Sequence, residues 1–124
     1  QARRLTMGQF SPAYLRYQRV FVALHDGHLA GFASFHRSGD EYCLDLMRVA
    51  TDAPSGTMHA LIMAAVSEAK TTGRVRLSLA ALPPRSGLIG ALARKTGAGG
   101  LCQFKTCFAP TRVALYAAAT SRIE

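Results

Sequence analysis

At 124 residues, 49% of them hydrophobic, the chain is long enough for one core and too apolar for a disordered segment. Twelve Arg and three Lys against seven acidic residues give a net charge of +8 and a pI near 10.1. Such a balance suits polyanions (nucleic-acid backbones, acidic lipid headgroups, phosphate-bearing cofactors) without naming one. No apolar run approaches the roughly 18 residues of a spanning helix, and with no CxxC pair and four isolated His residues a zinc site is not expected.

The chain opens at Gln1 with neither Met nor a signal-peptide pattern, as expected of a piece of a longer protein. A short helix is predicted around Ser11-Pro12-Ala13-Tyr14-Leu15, with Ser11 as N-cap and Pro12 at the first helical position. Arg19 to His25 and Leu29 to His36 read as strands joined by Asp26-Gly27, a two-residue hairpin signal that sets His25 opposite His28. A third strand runs from Glu41 to Val49 after the turn Arg37-Ser38-Gly39-Asp40. Strict alternation puts Cys43, Asp45 and Met47 on one face and Leu44, Leu46 and Arg48 on the other. Asp45 and Arg48 then reach one site only if the strand ends or bulges between them.

Thr57 to Thr72 is predicted as a helix burying Met58, Leu61, Ile62, Ala65 and Ala69, with Gly73 as its C-terminal cap. Val75 to Leu82 reads as a central strand, stopped by Pro83-Pro84. Gly87 to Thr96 reads as a short helix and Gly97-Ala98-Gly99-Gly100 as a flexible turn. Leu101 to Phe108 and Arg112 to Thr120 are expected to close the chain as two strands. Cys43, Cys102 and Cys107 are expected to be buried, reduced thiols in a cytosolic setting. Lys105, alone in an apolar run, either snorkels to an edge or serves a site.

The acid and base of Asp45-Leu46-Met47-Arg48 precede a turn and a helix start, a common way to build a site in an α/β protein. The same two residues equally describe a structural ion pair at a sheet edge.

The element order resembles the N-acetyltransferase (GNAT-type) fold from its second helix onward, without the first strand and first helix. The expected class is therefore α/β (α+β), a mixed, mostly antiparallel sheet flanked by helices. In that fold an Arg/Gln-x-x-Gly-x-Gly/Ala loop cradles the cofactor pyrophosphate. The corresponding turn here, Ala50 to Thr57, has one glycine, a proline without an N–H and an aspartate, so CoA is not expected.

A more specific resemblance lies in Asp45-Leu46-Met47-Arg48 followed by Asp52-Ala53-Pro54-Ser55-Gly56-Thr57-Met58. This block is similar to the signature of the C-terminal domain of phosphatidylglycerol lysyltransferases. Phe10-Ser11 with Tyr14-Leu15, the Asp26-Gly27 hairpin, and Gly100-Leu101-Cys102-Gln103-Phe104-Lys105 before Phe108, Pro110 and Tyr116 agree in order. Relatives carry a Trp and a Pro where this chain has Arg112 and Ala114.

The resemblance implies an aminoacyltransferase of tandem GNAT-like halves, of which residues 1–124 would be the second. The donor would be aminoacyl-tRNA and the acceptor phosphatidylglycerol, with no cofactor and no metal. It places Asp45, Arg48 and Lys105 in catalysis: Asp45 holding the aminoacyl ammonium or orienting the nucleophile, Arg48 locking that carboxylate or meeting phosphate, Lys105 neutralising phosphate or oxyanion. Met47, Gly56, Thr57 and Tyr116 would line the substrate pocket. Implied partners are tRNA, an anionic phospholipid surface, and a first GNAT-like half or a second copy. The implied location is cytoplasmic, peripheral at the inner face of the membrane. Two other readings stand beside it, an acyl-CoA-dependent N-acetyltransferase and a non-catalytic GNAT-like domain that pairs with another chain.

Overall fold

The computed structural model describes residues 11–82 and 98–116. The chain divides into two compact units, Gln1–Ala80 and Ala81–Glu124.

The first unit is a four-stranded sheet of order β1-β2-β3-β4, built from β1 (Gln18–His25), β2 (His28–Ser38), β3 (Glu41–Val49) and β4 (Arg76–Ser78). The first three strands are antiparallel and β4 pairs parallel to β3. Helix α1 (Pro12–Leu15) precedes β1, and α2 (Thr57–Thr71) lies between β3 and β4. The Ser11 side chain accepts from the Tyr14 N–H at 3.2 Å, so the predicted cap is real although the helix is one turn long. Asp26 and Gly27 both take positive φ, 50° and 77°, the turn type whose twist matches a hairpin, and His25 pairs with His28.

Helix α2 buries Leu61, Ile62, Ala65 and Ala69 against the sheet, while Met58 stays half-buried. Its end is a Schellman closure. The Gly73 N–H donates to Lys70 O at 3.2 Å and the Arg74 N–H to Ala69 O at 2.8 Å, with Gly73 at φ 71°. Ala33, Phe35, Tyr42 and Leu44 meet this helix from the sheet and complete the core. Phe35 sits edge-to-face on Phe21 with centroids 5.7 Å apart.

One irregularity in β3 decides what the sheet presents. Phe35 pairs with Leu44 but Ala33 pairs with Met47, so three steps along β3 match two along β2. The extra residue is a bulge at Asp45-Leu46, and the Ser34 hydroxyl accepts the Leu46 N–H there at 3.3 Å. Beyond the bulge every side chain changes face. Met47 joins the α2 side with Ala33, and Arg48, paired with Phe32, joins the side of Cys43 and Asp45. The uninterrupted alternation expected from the sequence is thereby corrected at Met47 and Arg48.

The fourth strand is shorter than expected and, among the described residues, lies at an edge of the sheet rather than its centre. Its start is tied to the β2–β3 turn, where Asp40 O accepts the Val75 and Arg76 N–H groups.

In the second unit, Ala98–Thr106 is a helix, here α3, where the sequence reading had a glycine turn followed by a strand. Cys, Phe and Thr suggest a strand by composition, but Phe104, Lys105 and Phe108 recur at helical spacing. Phe104 and Phe108, four apart, stack edge-to-face at 5.3 Å. Residues 111–116 are in no regular element, so the last expected strand is absent over that stretch, and its remainder lies outside the described residues. The predicted helix Gly87–Thr96 also falls outside them. The three cysteines are free, but Cys43 and Cys102 are half-buried and Cys107 is exposed, which corrects the expectation of three buried thiols.

Candidate active site

The face of the sheet opposite α2 gathers three polar side chains around Asp45. Tyr14 projects from the capped turn of α1, Gln18 opens β1, His36 stands near the end of β2, and Asp45 sits at the β3 bulge. Gln18 pairs with His36 and His36 with Cys43, so the three strands present these residues on one face. The Tyr14 hydroxyl donates to Asp45 Oδ2 at 2.9 Å, and the Gln18 amide donates to the same oxygen at 2.8 Å. His36 Nε2 lies 3.2 Å from the Tyr14 oxygen and 3.6 Å from Asp45 Oδ1. With the phenol proton directed at Asp45, a His36 ring protonated at Nε2 donates to the Tyr14 oxygen.

The Asp45 carboxylate is only 13% exposed. Burial, and then the hydrogen bond to Asp45 and its charge, raise the Tyr14 phenol above its ordinary pKa, with Gln18 acting in the opposite direction. Tyr14 is thus a neutral donor to the carboxylate. Gln18 is 8% exposed, and its carbonyl oxygen has no hydrogen-bond partner among the described residues. Two acceptors therefore belong to this cluster: Asp45 Oδ1, approached among the described residues only by His36 at 3.6 Å, and the buried Gln18 amide oxygen. Such a site takes a group rich in N–H or O–H donors, an ammonium or a hydroxyl.

The bulge puts Arg48 on this same face, exposed, with Nη1 donating to Met47 O at 2.8 Å. Met47 is on the other face, half-buried, and does not join Asp45. Gly56 is the N-cap of α2 at φ 88°, a conformation that favours glycine, and no side chain caps the helix there. The Thr57 hydroxyl donates to Pro54 O at 2.7 Å. In the second unit, Lys105 is 5% exposed on α3 and its Nζ donates to Ala81 O at 3.4 Å. Burial to that degree rules out snorkelling to an exposed edge. Tyr116 is 93% exposed.

Gln18 and His36 were not singled out from the sequence, and Tyr14 only as part of a resemblance. The hairpin turn alone does not bring them together: counted from Asp26-Gly27, Gln18 would fall opposite Phe35, and the irregularity between Ala23 and Leu24 shifts it opposite His36. No group of three or more metal-ligating side chains occurs among the described residues, and no helix there is long and apolar enough to cross a membrane.

The sequence matches the family described as phosphatidylglycerol lysyltransferase, C-terminal, over residues 1–119. Among solved structures it is similar to the C-terminal domain of a protein described as a lysylphosphatidylglycerol synthetase from Agrobacterium fabrum. That pair is 32% identical with a TM-score of 0.69, covering 84% of this chain and 34% of the other. The L-PGS structure from Bacillus licheniformis is 26% identical with a TM-score of 0.64, covering 84% and 35%. The chain thus spans about one third of each of these two relatives. A ribosomal-protein-alanine N-acetyltransferase from Brucella melitensis biovar Abortus 2308, at 21% identity and TM-score 0.52, covers 88% of this chain and 72% of its own, and shows the acetyltransferase-type fold alone. No curated protein matches the sequence significantly. The match over nearly the whole length, on a fold of the expected mixed class, places the chain in the phosphatidylglycerol lysyltransferase C-terminal family.

Proposed function

We propose that the chain is the second half of a tandem GNAT-like aminoacyltransferase. It moves a lysyl or similar aminoacyl group from aminoacyl-tRNA to a glycerol hydroxyl of phosphatidylglycerol, at the inner face of the membrane. The observation that carries the reading is the half-buried Asp45 carboxylate, fixed by Tyr14 and Gln18 within the family's sequence block.

One ester is exchanged for another. The lipid hydroxyl oxygen attacks the aminoacyl carbonyl, the bond to the tRNA ribose oxygen breaks, and the hydroxyl proton ends on that leaving oxygen. The donor ester is already activated, so positioning and oxyanion stabilisation are what remain for the protein. Asp45 has lone pairs left over from Tyr14 and Gln18 for the aminoacyl ammonium. Arg48, past the bulge on the same face, is suited to the acceptor's phosphate. For Lys105 the role is that of the resemblance, neutralising phosphate or oxyanion, and for Gly56, Thr57 and Tyr116 it is shaping the substrate pocket; Met47, turned to the α2 side, is left out of it.

The turn before α2 favours a CoA-free reaction. Ala53 N–H is bonded to Ala50 O and Thr57 N–H to Pro54 O, each at 3.2 Å, and Pro54 has no N–H. Two amides of this turn are therefore already engaged, and the Pro54 position has none to offer a pyrophosphate.

The test is transfer of labelled amino acid from charged tRNA to phosphatidylglycerol vesicles by the protein carrying this domain. Label in the lipid is the expected result. Saturable acetyl-CoA binding without lipid label would overturn the reading in favour of an acetyltransferase, and silence in both assays would leave a partner-binding domain.

A further inference from the structure

On the other side of the sheet, away from Asp45, Tyr17, Arg37, Ser38, Gly39 and Arg74 line an open cavity of about 440 Å³. The strand register builds it. Gln18 pairs with His36, so Tyr17 falls next to Arg37, and Arg37 in turn pairs with Tyr42. Arg74, held in place by the Schellman closure of α2, lies over the Tyr42 ring at 5.2 Å and donates through Nη1 to Gly39 O.

The charge of this recess is one-sided. Its lining holds two guanidiniums and no carboxylate. Of the nearby acids, Glu68 is bound by Arg19 and the Tyr42 hydroxyl and also feels the charge of Arg74, Glu41 is paired with Arg76, and Asp40 follows Gly39 in the turn without lining the opening. Arg37 is exposed and makes no ion pair among the described residues, while Arg74 has its Nε buried and donates through Nη1 to Gly39 O. Two guanidinium charges beside one opening, with Arg37 exposed at it, match a phosphate group. Tyr17, 78% exposed at the rim, adds an aromatic face. Cations beside an exposed aromatic ring are how proteins hold single-stranded nucleic acid, through phosphate and a stacked base.

We propose that this cavity binds a phosphodiester of single-stranded RNA, with the adjoining base stacked on Tyr17. The inference rests on the transfer reading only in expecting that RNA to belong to the aminoacyl donor. It puts RNA docking on the α2 side of the sheet and the Asp45 cluster on the opposite side.

The test is fluorescence anisotropy of a labelled short single-stranded RNA across a salt series. Relative to the wild type, Arg37→Ala should weaken binding about tenfold and lower the salt slope by about 1. Arg37→Lys should restore the slope, and Tyr17→Ala should weaken binding roughly fivefold or more. Inorganic phosphate should compete with the RNA, and circular dichroism should show each variant folded. Unchanged affinity and slope in both Arg37→Ala and Tyr17→Ala would overturn the inference. So would a loss confined to phosphatidylglycerol vesicles with RNA binding intact, which would assign the recess to lipid. Lipid labelling is scored separately. Transfer that persists while RNA binding ignores Arg37 sinks only the cavity, whereas Arg37-dependent RNA binding without any transfer sinks only the aminoacyltransferase.

Discussion

The two faces of one sheet are built on opposite principles. The face under α2 is apolar and tightly filled: Ala33 and Phe35 are fully buried and meet Ile62 and Ala65. Its polar members, Arg19 and Glu68, close the rim in a two-pronged ion pair at 2.5 and 2.7 Å. The opposite face holds Gln18, Ser34 and Asp45 buried or half-buried, with the Gln18 amide donating to Asp45 and the Ser34 hydroxyl accepting the Leu46 N–H. Burying a carboxylate and an amide there costs stability unless they are partnered, and the Gln18 oxygen is not, among the described residues. The face under α2 thus supplies the stability, with Arg37 and Arg74 gathered only at its end, and the opposite face carries polar groups clustered around Asp45.

Breaking the stable face should have the largest effect. Phe35→Ala leaves a cavity between Phe21, Tyr42 and α2 and should cost about 3–5 kcal/mol in urea unfolding. Activity would then fall only with the folded fraction. Asp45→Asn should do the reverse, cutting aminoacyl transfer about 10²- to 10³-fold while moving the urea midpoint far less than Phe35→Ala. Transfer that survives Asp45→Asn would show that the site lies elsewhere.

Tyr14→Phe sharpens the comparison by removing one of the two donors that orient the carboxylate. Transfer should drop roughly tenfold to a hundredfold, as positioning is lost, with circular dichroism unchanged. Because the phenol is raised above its ordinary pKa in the fold, its protonated form is the one favoured. That contribution is complete below the ordinary tyrosine range and is lost as pH rises through the raised value. Tyr14→Phe should therefore flatten the alkaline decline of the melting temperature.

The smallest effect belongs to the rim. The Arg19 hydrogen bond holds Glu68 below the usual carboxylate range, opposed by burial and helped by the Tyr42 hydroxyl and the charges of Arg19 and Arg74. Its stabilisation is present above the ordinary carboxylate pKa and is lost as pH falls through the depressed value. With Arg19 half exposed, Glu68→Gln should cost only about 0–1 kcal/mol at neutral pH. A melting-temperature series should show a shallower acid decline for the variant.

Local signals were legible where chemistry demanded particular residues. Ser11-Pro12, Asp26-Gly27 and Gly73 each mark a backbone geometry that few residues serve, and each sits where expected. The helical stripe of α2 was readable for a similar reason, since Leu61, Ile62, Ala65 and Ala69 repeat at its period. Signals that depend on neighbours failed. Val75 to Leu82 is apolar enough for a central strand, yet only Arg76–Ser78 pairs, and on one side among the described residues. In Leu101 to Phe108, strand-like composition outweighed the spacing of Phe104, Lys105 and Phe108, and α3 was missed.

For the candidate site, the sequence pointed to Asp45 and Arg48 but not to their arrangement. A bulge has no composition of its own at Asp45-Leu46. It exists because β2 and β3 pair in two different registers on either side of Ser34.

What the sequence by itself determined is therefore the turns, the caps, the α2 stripe and the family block, all encoded within a few consecutive residues. The tertiary structure alone decided which residues surround Asp45, that Met47 leaves its face and Arg48 joins it, and that Tyr17, Arg37 and Arg74 share a recess. Each of those outcomes depends on strand register and on where α2 ends, properties of residues far apart in the chain that meet only when the sheet closes.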